Sequence, residues 1–526
     1  MARLLGPDLA RRTVTQVVGS TVYDFSGRTA TVYLDEALTQ LADIATYDPA
    51  NPSVVGATIP GSQVTLSSRN SRLPQFWFPD NVDQLYVQVT GLSHAWMVEA
   101  DVDARLDYQL NTSTPFPIAA ARVTSNLTSM QSGHGWTAGN TSASNLNDTT
   151  TYVLGTQCAS ITTQSNGSAA TLTKTGLALD ISATKQLRVL VRVDGVDNLQ
   201  GLSLYVSSDT MVANFGILNI QSVTPDPAVR WLKEGEWKWV TLNWQSATVT
   251  GTPNLAAIDS LRIRATATNG TTFQVRLQAV QVIERKSFAS AGIVCFTYDD
   301  SYASQFTVAK AKLDQYGFAG TAYTIVSNVA AGDAGNSLYL TTAQLKAMRR
   351  YSGWEIGPHA MTVTNHNRGF AGGVNPLSAA ELDADMRGNI QWLKDNGLSD
   401  GYMGHCYPQG KYTTAIEQQM AGRVAYARAM TGTANAAETV PPADPFAVRC
   451  YTLDNTSVLG TLQAQVDGCA ASGGLLVYCC HEIVTSPATS TQFATATHTS
   501  LVDYVAGKAG IRVMTLGDVM RSLSAQ

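Results

Sequence analysis

The chain has 526 residues, more than one hydrophobic core normally serves, and its length alone predicts about three domains. Hydrophobic residues make up an ordinary 44%, whereas charged residues make up only 14%, and the formal net charge is −5. There is no cluster of Lys and Arg, and no apolar run approaches the roughly 18 residues that a membrane span needs. We therefore expect no nucleic-acid partner and no membrane insertion.

The N-terminus and the cysteines predict where the chain folds. No apolar segment with a small-residue cleavage site follows the basic N-terminus, so we expect no N-terminal export signal. Seven cysteines are an odd number without zinc-finger spacing, which is typical of a chain that folds reduced in a bacterial cytoplasm. The adjacent Cys479 and Cys480 lie in an apolar run, where we expect buried small side chains rather than a redox pair.

Residues 1–115 predict a mostly β domain that is rich in turns. Apolar and polar residues alternate in segments such as Thr31–Leu34. The aromatic stretch Leu73–Asp80 carries a proline near each end, and this pattern predicts a packed loop rather than a central strand.

Residues 116–288 predict a β-sandwich or jelly roll. Leu187–Val193 and Phe273–Ala279 alternate with period two, and Asn, Gly, Ser and Thr turns separate many such segments. The polar tract Thr137–Thr151 predicts a surface loop. This domain either binds carbohydrate or acts as a spacer. Sugar binding would need accessible aromatic rings, for which the candidates are Trp136, Trp237, Trp239 and Trp244.

Residues 289–526 predict an α/β domain with six or seven strand–helix repeats, arranged as a deformed parallel (β/α) barrel. The predicted strands are Ile293–Tyr298, Gly320–Val326, Trp354–Gly357, Tyr402–Tyr407, Val424–Met430, Leu475–Cys480 and Val513–Leu516. The predicted helices are Ala303–Tyr316, Thr341–Tyr351, one from Ser378 to about Asn396, Thr414–Gly422, Leu459–Ser472 and Ser500–Lys508. In such barrels the active site lies at the carboxyl ends of the strands.

Four groups of polar residues follow predicted strands in this domain. In Asp299-Asp300, a cation can hold one carboxylate ionised while the other stays free to accept a proton. His359 and His366 are suitable ligands for a divalent metal if their segment is a loop that folds back, which requires Met361–Asn365 to be non-helical. The turn at 406–410 (CYPQG) can aim backbone N–H groups at an oxyanion, and His481 can protonate a leaving group.

Together these groups resemble the polysaccharide deacetylases of carbohydrate esterase family four, which share the nodulation chitooligosaccharide deacetylase homology domain. The run TYDDS at 297–301 matches the family's Thr-Phe-Asp-Asp-Gly motif, and CYPQG matches Arg-x-Pro-x-Gly. The resemblance implies that Asp299 is the general base and that His481 is the general acid. It also implies that Asp300, His359 and His366 hold a divalent metal, zinc or else cobalt, nickel or manganese. The amide of Gln409 would help to form the oxyanion hole, and the expected substrate contacts are Tyr298, Tyr407, Pro408 and Asp454.

The chain departs from the family pattern at two places. Six residues separate His359 from His366, whereas the family usually has three. Cys406 replaces the motif arginine, which leaves Asp299 without its usual partner, and Arg449 is the candidate substitute cation.

The N-terminal segment is similar to the opening of minor tail proteins from phages of actinobacteria. The similarity rests on Gly6-Pro7-Asp8, Val32–Asp35, Leu41–Ile44, Leu73-Pro74 and Phe76–Asp80. It implies a virion tail component, with other tail or baseplate proteins as partners and a homotrimer as a possible assembly. The leading hypothesis is a tail-borne enzyme that deacetylates host cell-envelope polysaccharide or peptidoglycan. The alternative is a receptor-binding tail protein that grips glycan without turnover.

Overall fold

A computed structural model of the chain describes long continuous stretches after residue 129 and short segments before it. The long stretches are residues 130–182, 185–223, 229–284, 291–369, 375–399, 403–430 and 437–523. The short segments are residues 3–4, 15–18, 21–24, 28–34, 38–42, 44–46, 57–66, 76–78, 84–90, 96–99 and 122–128. The domain boundaries predicted near residues 115 and 288 lie outside the described residues.

The described N-terminal segments form three small sheets, with strand orders β1-β7-β5, β2-β3 and β6-β4-β8-β9. The strands are β1 Arg3–Leu4, β2 Thr15–Val18, β3 Thr21–Asp24, β4 Thr29–Tyr33, β5 Ala45–Thr46, β6 Gln63–Thr65, β7 Phe76–Phe78, β8 Gln84–Val89 and β9 Trp96–Glu99. The prediction of a loop around Phe76–Phe78 was wrong, because this segment is the middle strand of its sheet. A strand this short fits between the two prolines without including either.

Two six-stranded antiparallel sheets follow and pack face to face. Their strands are β10 Arg122–Thr128, β11 Thr137–Gly139, β12 Ala143–Asp148, β13 Cys158–Thr162, β14 Ala170–Lys174, β15 Lys185–Asp194, β16 Leu199–Ser207, β17 Phe215–Ser222, β18 Trp237–Leu242, β19 Thr248–Thr250, β20 Ser260–Ala267 and β21 Gln274–Glu284. One sheet has the order β12-β13-β21-β15-β18 with β10 on β21, and the other has the order β11-β14-β20-β16-β17-β19. The predicted loop at Thr137–Thr151 was wrong, since it contains β11 and β12.

Period-two alternation builds the core of this sandwich, as the sequence predicts. Leu187, Val189 and Val191 of β15 are buried in the same cluster as Leu204 and Val206 of β16, which belongs to the other sheet. Successive side chains of a strand point to opposite faces, so one face of each sheet supplies the core. Whether the connections follow a jelly roll stays a prediction.

The tryptophans of the sandwich differ in exposure. Trp136 is buried in the core, whereas Trp237, Trp239 and Trp244 are each half-buried. The guanidinium of Arg188 lies 4.3 Å from the centroid of the Trp239 ring. Partly accessible rings remain available for sugar stacking, so glycan binding by the sandwich stays a prediction.

The C-terminal region alternates strands and helices around a parallel sheet. Its strands are β22 Gly292–Tyr298, β23 Thr321–Ile325, β24 Glu355–Ala360, β25 Gly404–Cys406, β26 Tyr426–Arg428, β27 Tyr451–Thr452, β28 Leu475–Cys480, β29 Glu482–Val484, β30 Gln492–Ala494 and β31 Ile511–Val513. Its α-helices are α1 Ala311–Asp314, α2 Val326–Asp333, α3 Thr342–Ser352, α4 Val363–Arg368, α5 Ala379–Asp395, α6 Thr414–Ala421, α7 Leu459–Ser472, α8 Thr495–Gly507 and α9 Leu516–Leu523. A π-helical segment, Gln305–Lys310, precedes α1.

The strand order of the main sheet is β24-β23-β22-β28-β27, with β31 also paired to β22, and all of these pairs are parallel. A separate parallel pair, β25-β26, lies beside β24. Parallel strands bring their carboxyl ends to one edge, which is where polar residues after β22, β24 and β28 meet. Closure of these strands into a barrel stays a prediction.

Local signals fix several helix ends. Ser378 and Glu381 form the predicted capping box at the start of α5, in which each side chain accepts a backbone N–H of the other residue. Gly473 ends α7 in the left-handed conformation that favours glycine. Within the described residues, no helix is both long enough and apolar enough to cross a membrane.

Candidate active site

The site begins where β22 ends, at two residues with left-handed backbones. Asp300 and Ser301 have φ values of 69° and 62°, which cost L-residues on the order of 1–2 kcal/mol each. Hydrogen bonds hold this turn: the Asn328 amide donates to the Asp300 carbonyl at 2.9 Å, and the Ile325 N–H donates to the Ser301 hydroxyl at 3.1 Å. The family motif has glycine at position 301, and the left-handed φ gives a physical reason for that preference.

Asp300, His359 and His366 converge on one point. Nε2 of His359 lies 3.4 Å and Nε2 of His366 lies 3.5 Å from Oδ1 of Asp300. The possible ligand atoms of the three residues all lie within 4.8 Å of one another. Oδ1 of Asp300 is buried and has no hydrogen-bond partner among the described residues. A buried carboxylate oxygen facing two imidazoles fits a three-ligand divalent metal site.

The backbone selects the ring nitrogen that His359 can offer. Its Nδ1 lies 2.8 Å from the carbonyl oxygen of Cys406, so a proton on Nδ1 leaves the lone pair of Nε2 facing Asp300. Burial lowers the pKa of the neighbouring His405 to about 3, which keeps that imidazole neutral.

The prediction that Met361–Asn365 is non-helical was wrong. Helix α4 begins at Val363, and Thr362 caps it by accepting the N–H of Asn365 at 3.0 Å. The chain turns at the end of β24, held by the Asp385 carboxylate, which accepts the Met361 N–H at 3.1 Å. His366 therefore reaches Asp300 from a short helix that follows a turn after β24. The distance between residues seven apart on one continuous helix does not apply to His359 and His366.

Asp299 is buried, and the described residues bind only one of its two carboxylate oxygens. Its Oδ2 accepts hydrogen bonds from the Arg428 guanidinium and, at 3.3 Å, from the Cys479 thiol. Its Oδ1 is buried without a hydrogen-bond partner among the described residues. Burial alone would raise the pKa of Asp299, but Arg428 and the histidines His359 and His481 outweigh it and lower the pKa below its usual value. The carboxyl is therefore ionised at neutral pH.

The structure corrects the role predicted for Arg449. This buried arginine pairs with the buried Glu438, with 2.6 Å between Nη2 and Oε1, and the guanidinium at Asp299 belongs to Arg428. Glu438 needs a cation because an unpaired buried carboxylate is costly. Arg428 was missed by the sequence reasoning, although a signal existed: it is a charged residue inside the predicted strand Val424–Met430, at the carboxyl end of β26.

His481 follows β28 and faces Asp299 across the site. Its Nε2 lies 3.9 Å from Oδ2 of Asp299, and its Nδ1 is buried with no hydrogen-bond partner in the described part of the chain. The strand β28 pairs in register with β22, so Cys480 stands opposite Tyr298 and the two chain exits are adjacent.

Gln409 lies in the tight turn Pro408–Gly410 with a left-handed φ of 57°. Its side-chain amide donates to the carbonyl oxygens of Asn367 at 2.9 Å and His366 at 3.3 Å. The turn thus binds the end of α4, which carries a candidate metal ligand. A role of the Gln409 backbone amide in an oxyanion hole stays a prediction.

The structure does not place the predicted substrate contacts in the open part of the site. Tyr298 is fully buried in the core, and its hydroxyl lies 2.9 Å from Nε2 of His498. Alternation along β22 explains this, because Asp299 faces the site and its neighbour must face away. Tyr407 and Pro408 are buried, and the Asp454 carboxylate binds the Thr456 backbone at 2.8 Å in a local turn.

A comparison with family models identifies this region. Residues 287–425 match the model described as polysaccharide deacetylase. This range is a polysaccharide deacetylase domain. The match includes Asp299, Asp300, the two candidate ligands His359 and His366, and Gln409, and it ends before Arg428 and His481.

Solved structures similar to the chain include a deacetylase and two CE4 proteins. Streptococcus pyogenes deacetylase PplD in complex with acetate is 19% identical with a TM-score of 0.22, and the match covers 26% of this chain and 54% of that one. The chain thus spans about half the length of that deacetylase. The Xyl-CE4 domain of a multidomain xylanase from the hindgut metagenome of Trinervitermes trinervoides is 11% identical with a TM-score of 0.29, covering 45% and 93%. A mutant of BA3943, a CE4 family pseudoenzyme with restored enzymatic activity, is 12% identical with a TM-score of 0.29, covering 44% and 68%. No curated protein matches the sequence.

Replacing His366 by Ala tests its assignment as a metal ligand in the deacetylase domain. Two protein ligands would remain where hydrolytic zinc sites commonly use three, so we expect zinc affinity to fall by at least about 10-fold. Titration of the metal-free protein with zinc measures this change. His134→Ala, in the sandwich, is the control. Wild-type zinc affinity in the His366 variant would contradict the assignment.

Proposed function

We propose that the chain is a metal-dependent hydrolase that releases acetate from an acetylated cell-envelope polysaccharide or peptidoglycan. The observation that carries this proposal is that three candidate ligands, Asp300, His359 and His366, meet beside His481 and the ionised carboxylate of Asp299. The polysaccharide deacetylase family of residues 287–425 supports the same reaction.

The side chains divide the proton transfers between them. Oδ1 of Asp299 has no hydrogen-bond partner among the described residues and can accept a proton from the attacking water, while Arg428 and Cys479 fix Oδ2. His481, on the other side of the site, can give a proton to the departing nitrogen or oxygen as its bond to the acetyl carbon breaks. A divalent ion held by the three ligands would polarise the acetyl carbonyl and lower the pKa of water.

Acetate release tests the proposal directly. We expect the zinc-loaded protein to release acetate from an acetylated glycan, activity to disappear after removal of zinc by a chelator, and zinc to restore it. N-acetylated chitooligosaccharides, peptidoglycan and O-acetylated xylan are suitable probes, and enzymatic assay of free acetate is the measurement. A protein with zinc bound that releases no acetate from any of them would support the binding-only alternative.

Attachment to a virion tail is proposed on the sequence resemblance of the N-terminal segment alone. Of the residues that carry it, Gly6–Asp8, Asp35, Asp43, Leu73-Pro74 and Pro79-Asp80 lie outside the described residues. Tail or baseplate partners, a homotrimer and a virion location therefore belong to this proposal. Under it, the chain is made in the host cytoplasm and acts on glycan outside the cell.

A further inference from the structure

The contact between the β-sandwich and the deacetylase domain lies directly behind the loop that carries Gln409, here called the Gln409 loop (residues 407–412). We propose that the sandwich contributes to the active site by positioning this loop. The residues that do so are Lys233, Lys238 and Trp231. The inference rests on the proposed function for its effect on turnover, but not for its effect on the loop.

The first line of contact runs through stacked rings. The ammonium group of Lys233 lies 3.9 Å from the centroid of the Tyr412 ring, within the range of a cation–π interaction. Tyr412 stacks on Tyr407, with 4.9 Å between the ring centroids and 14° between the planes. Both tyrosines are buried. Because Tyr407 and Tyr412 are the first and last residues of the loop, the contact of Lys233 with this stack connects the lysine to both ends of the loop.

The second line holds the hydroxyl of Tyr407. This hydroxyl donates to the carbonyl oxygen of Phe446 at 2.8 Å. The sandwich binds the segment around Phe446 on both sides: Lys238 forms an ion pair with Asp444, and Nε1 of Trp231 donates to the carbonyl of Ala447 at 3.2 Å. The ring of Tyr407 thus contacts Tyr412, its hydroxyl contacts Phe446, and sandwich residues bind Tyr412 and the chain on each side of Phe446.

The Gln409 loop in turn holds the end of α4, the helix that carries the candidate ligand His366. The Gln409 amide donates to the carbonyl oxygens of His366 and Asn367, the last residues before the end of α4. The imidazole of His366 in turn lies 3.5 Å from the Asp300 carboxylate. If the loop became more mobile, the candidate ligand His366 and the backbone amide of Gln409, the candidate oxyanion-hole donor, would both lose their fixed positions.

A spacer would not need contacts of this kind. The hydroxyls of Thr241 in the sandwich and Thr439 in the C-terminal region lie 2.7 Å apart and are buried. Nη2 of the buried Arg449 also donates to the carbonyl of Thr241 at 3.1 Å. Buried polar groups that satisfy each other across the junction hold the two parts in one arrangement.

The test compares Lys233→Met with Lys233→Arg in the full chain. Methionine keeps most of the length of the side chain without the charge, whereas arginine keeps the cation over the ring. The matched control is Arg188→Met, which removes a similar cation–π contact, with Trp239, within the sandwich. Hydrogen exchange of the backbone amides of the Gln409 loop (all of its residues except Pro408) is measured on the metal-free protein, and kcat and KM are measured on the zinc-loaded protein.

We expect Lys233→Met to speed amide exchange in the Gln409 loop, to leave β28 unchanged, and to lower kcat by about 3–10-fold with little change in KM. Lys233→Arg should restore both, and Arg188→Met should alter neither. Wild-type exchange rates in the Gln409 loop of a folded Lys233→Met protein would overturn the inference. If the wild type releases no acetate, the exchange result still decides the inference, and only the proposed function fails.

Discussion

Replacing Asp299 by Asn is expected to lower kcat by about 10²–10⁴-fold while zinc content stays at the wild-type level. The variant removes the carboxylate that would accept the proton of water, but it leaves Asp300, His359 and His366 in place. Acetate release and metal analysis of the same preparation measure the two effects. The separation of the effects is the point of the experiment, because loss of metal alone would also abolish turnover.

Asp300→Asn is the matched control for this variant, since it should lose zinc and activity together. The neutral amide of the Asp299→Asn variant leaves the buried Arg428 without an anionic partner, so circular dichroism must first show that the variant folds. An Asp299→Asn protein that is folded, zinc-loaded and retains more than about 10% of wild-type kcat would contradict the role of general base.

Replacing Arg428 by Leu is expected to destabilise the fold by about 3–5 kcal/mol, because it leaves the Asp299 carboxylate buried without its cation. Urea unfolding measures this change. The stability that the pair contributes is present above the ordinary pKa of an aspartate and is lost as the pH falls through the lowered pKa of the folded state. The difference between wild type and variant should therefore shrink in acid.

The double variant Cys406→Arg with Arg428→Leu tests whether Arg428 on β26 takes the place of the motif arginine, whose position on β25 is occupied by Cys406. It restores arginine at the position where the family motif has it and frees the space that Arg428 fills. We expect it to recover part of the lost stability, whereas Cys406→Arg alone should destabilise the fold, because it adds a second buried cation beside Asp299. Equal stability of the Arg428→Leu variant and the wild type would contradict the pairing.

The sequence predicted those features of the site that depend on local pattern. The bounds of α7 and β28 were correct to the residue, because a glycine ends the helix and an uninterrupted apolar run defines the strand. Parallel strands then implied that Asp299, His359 and His481 would meet at one edge, as the structure places them.

Features that depend on pairing between distant segments could not be predicted in the same way. Both Arg428 and Arg449 follow short apolar segments, and only the fold decides that Arg428 faces Asp299 while Arg449 faces Glu438. The burial of Tyr298, by contrast, followed from alternation once Asp299 was assigned to the site. The approach of His366 from a helix depends on the turn after β24, which sequence spacing does not determine.

The cysteines give the folded protein a built-in measure of its own opening. All seven are free thiols and all are buried, one of them (Cys158) in the sandwich and the other six in the C-terminal region. A water-soluble alkylating reagent therefore has no accessible target until part of the chain opens. Because Cys158 reports on the sandwich, whereas Cys406 and Cys479 border the site, mass-spectrometric mapping of the labelled thiols would show which region opens first.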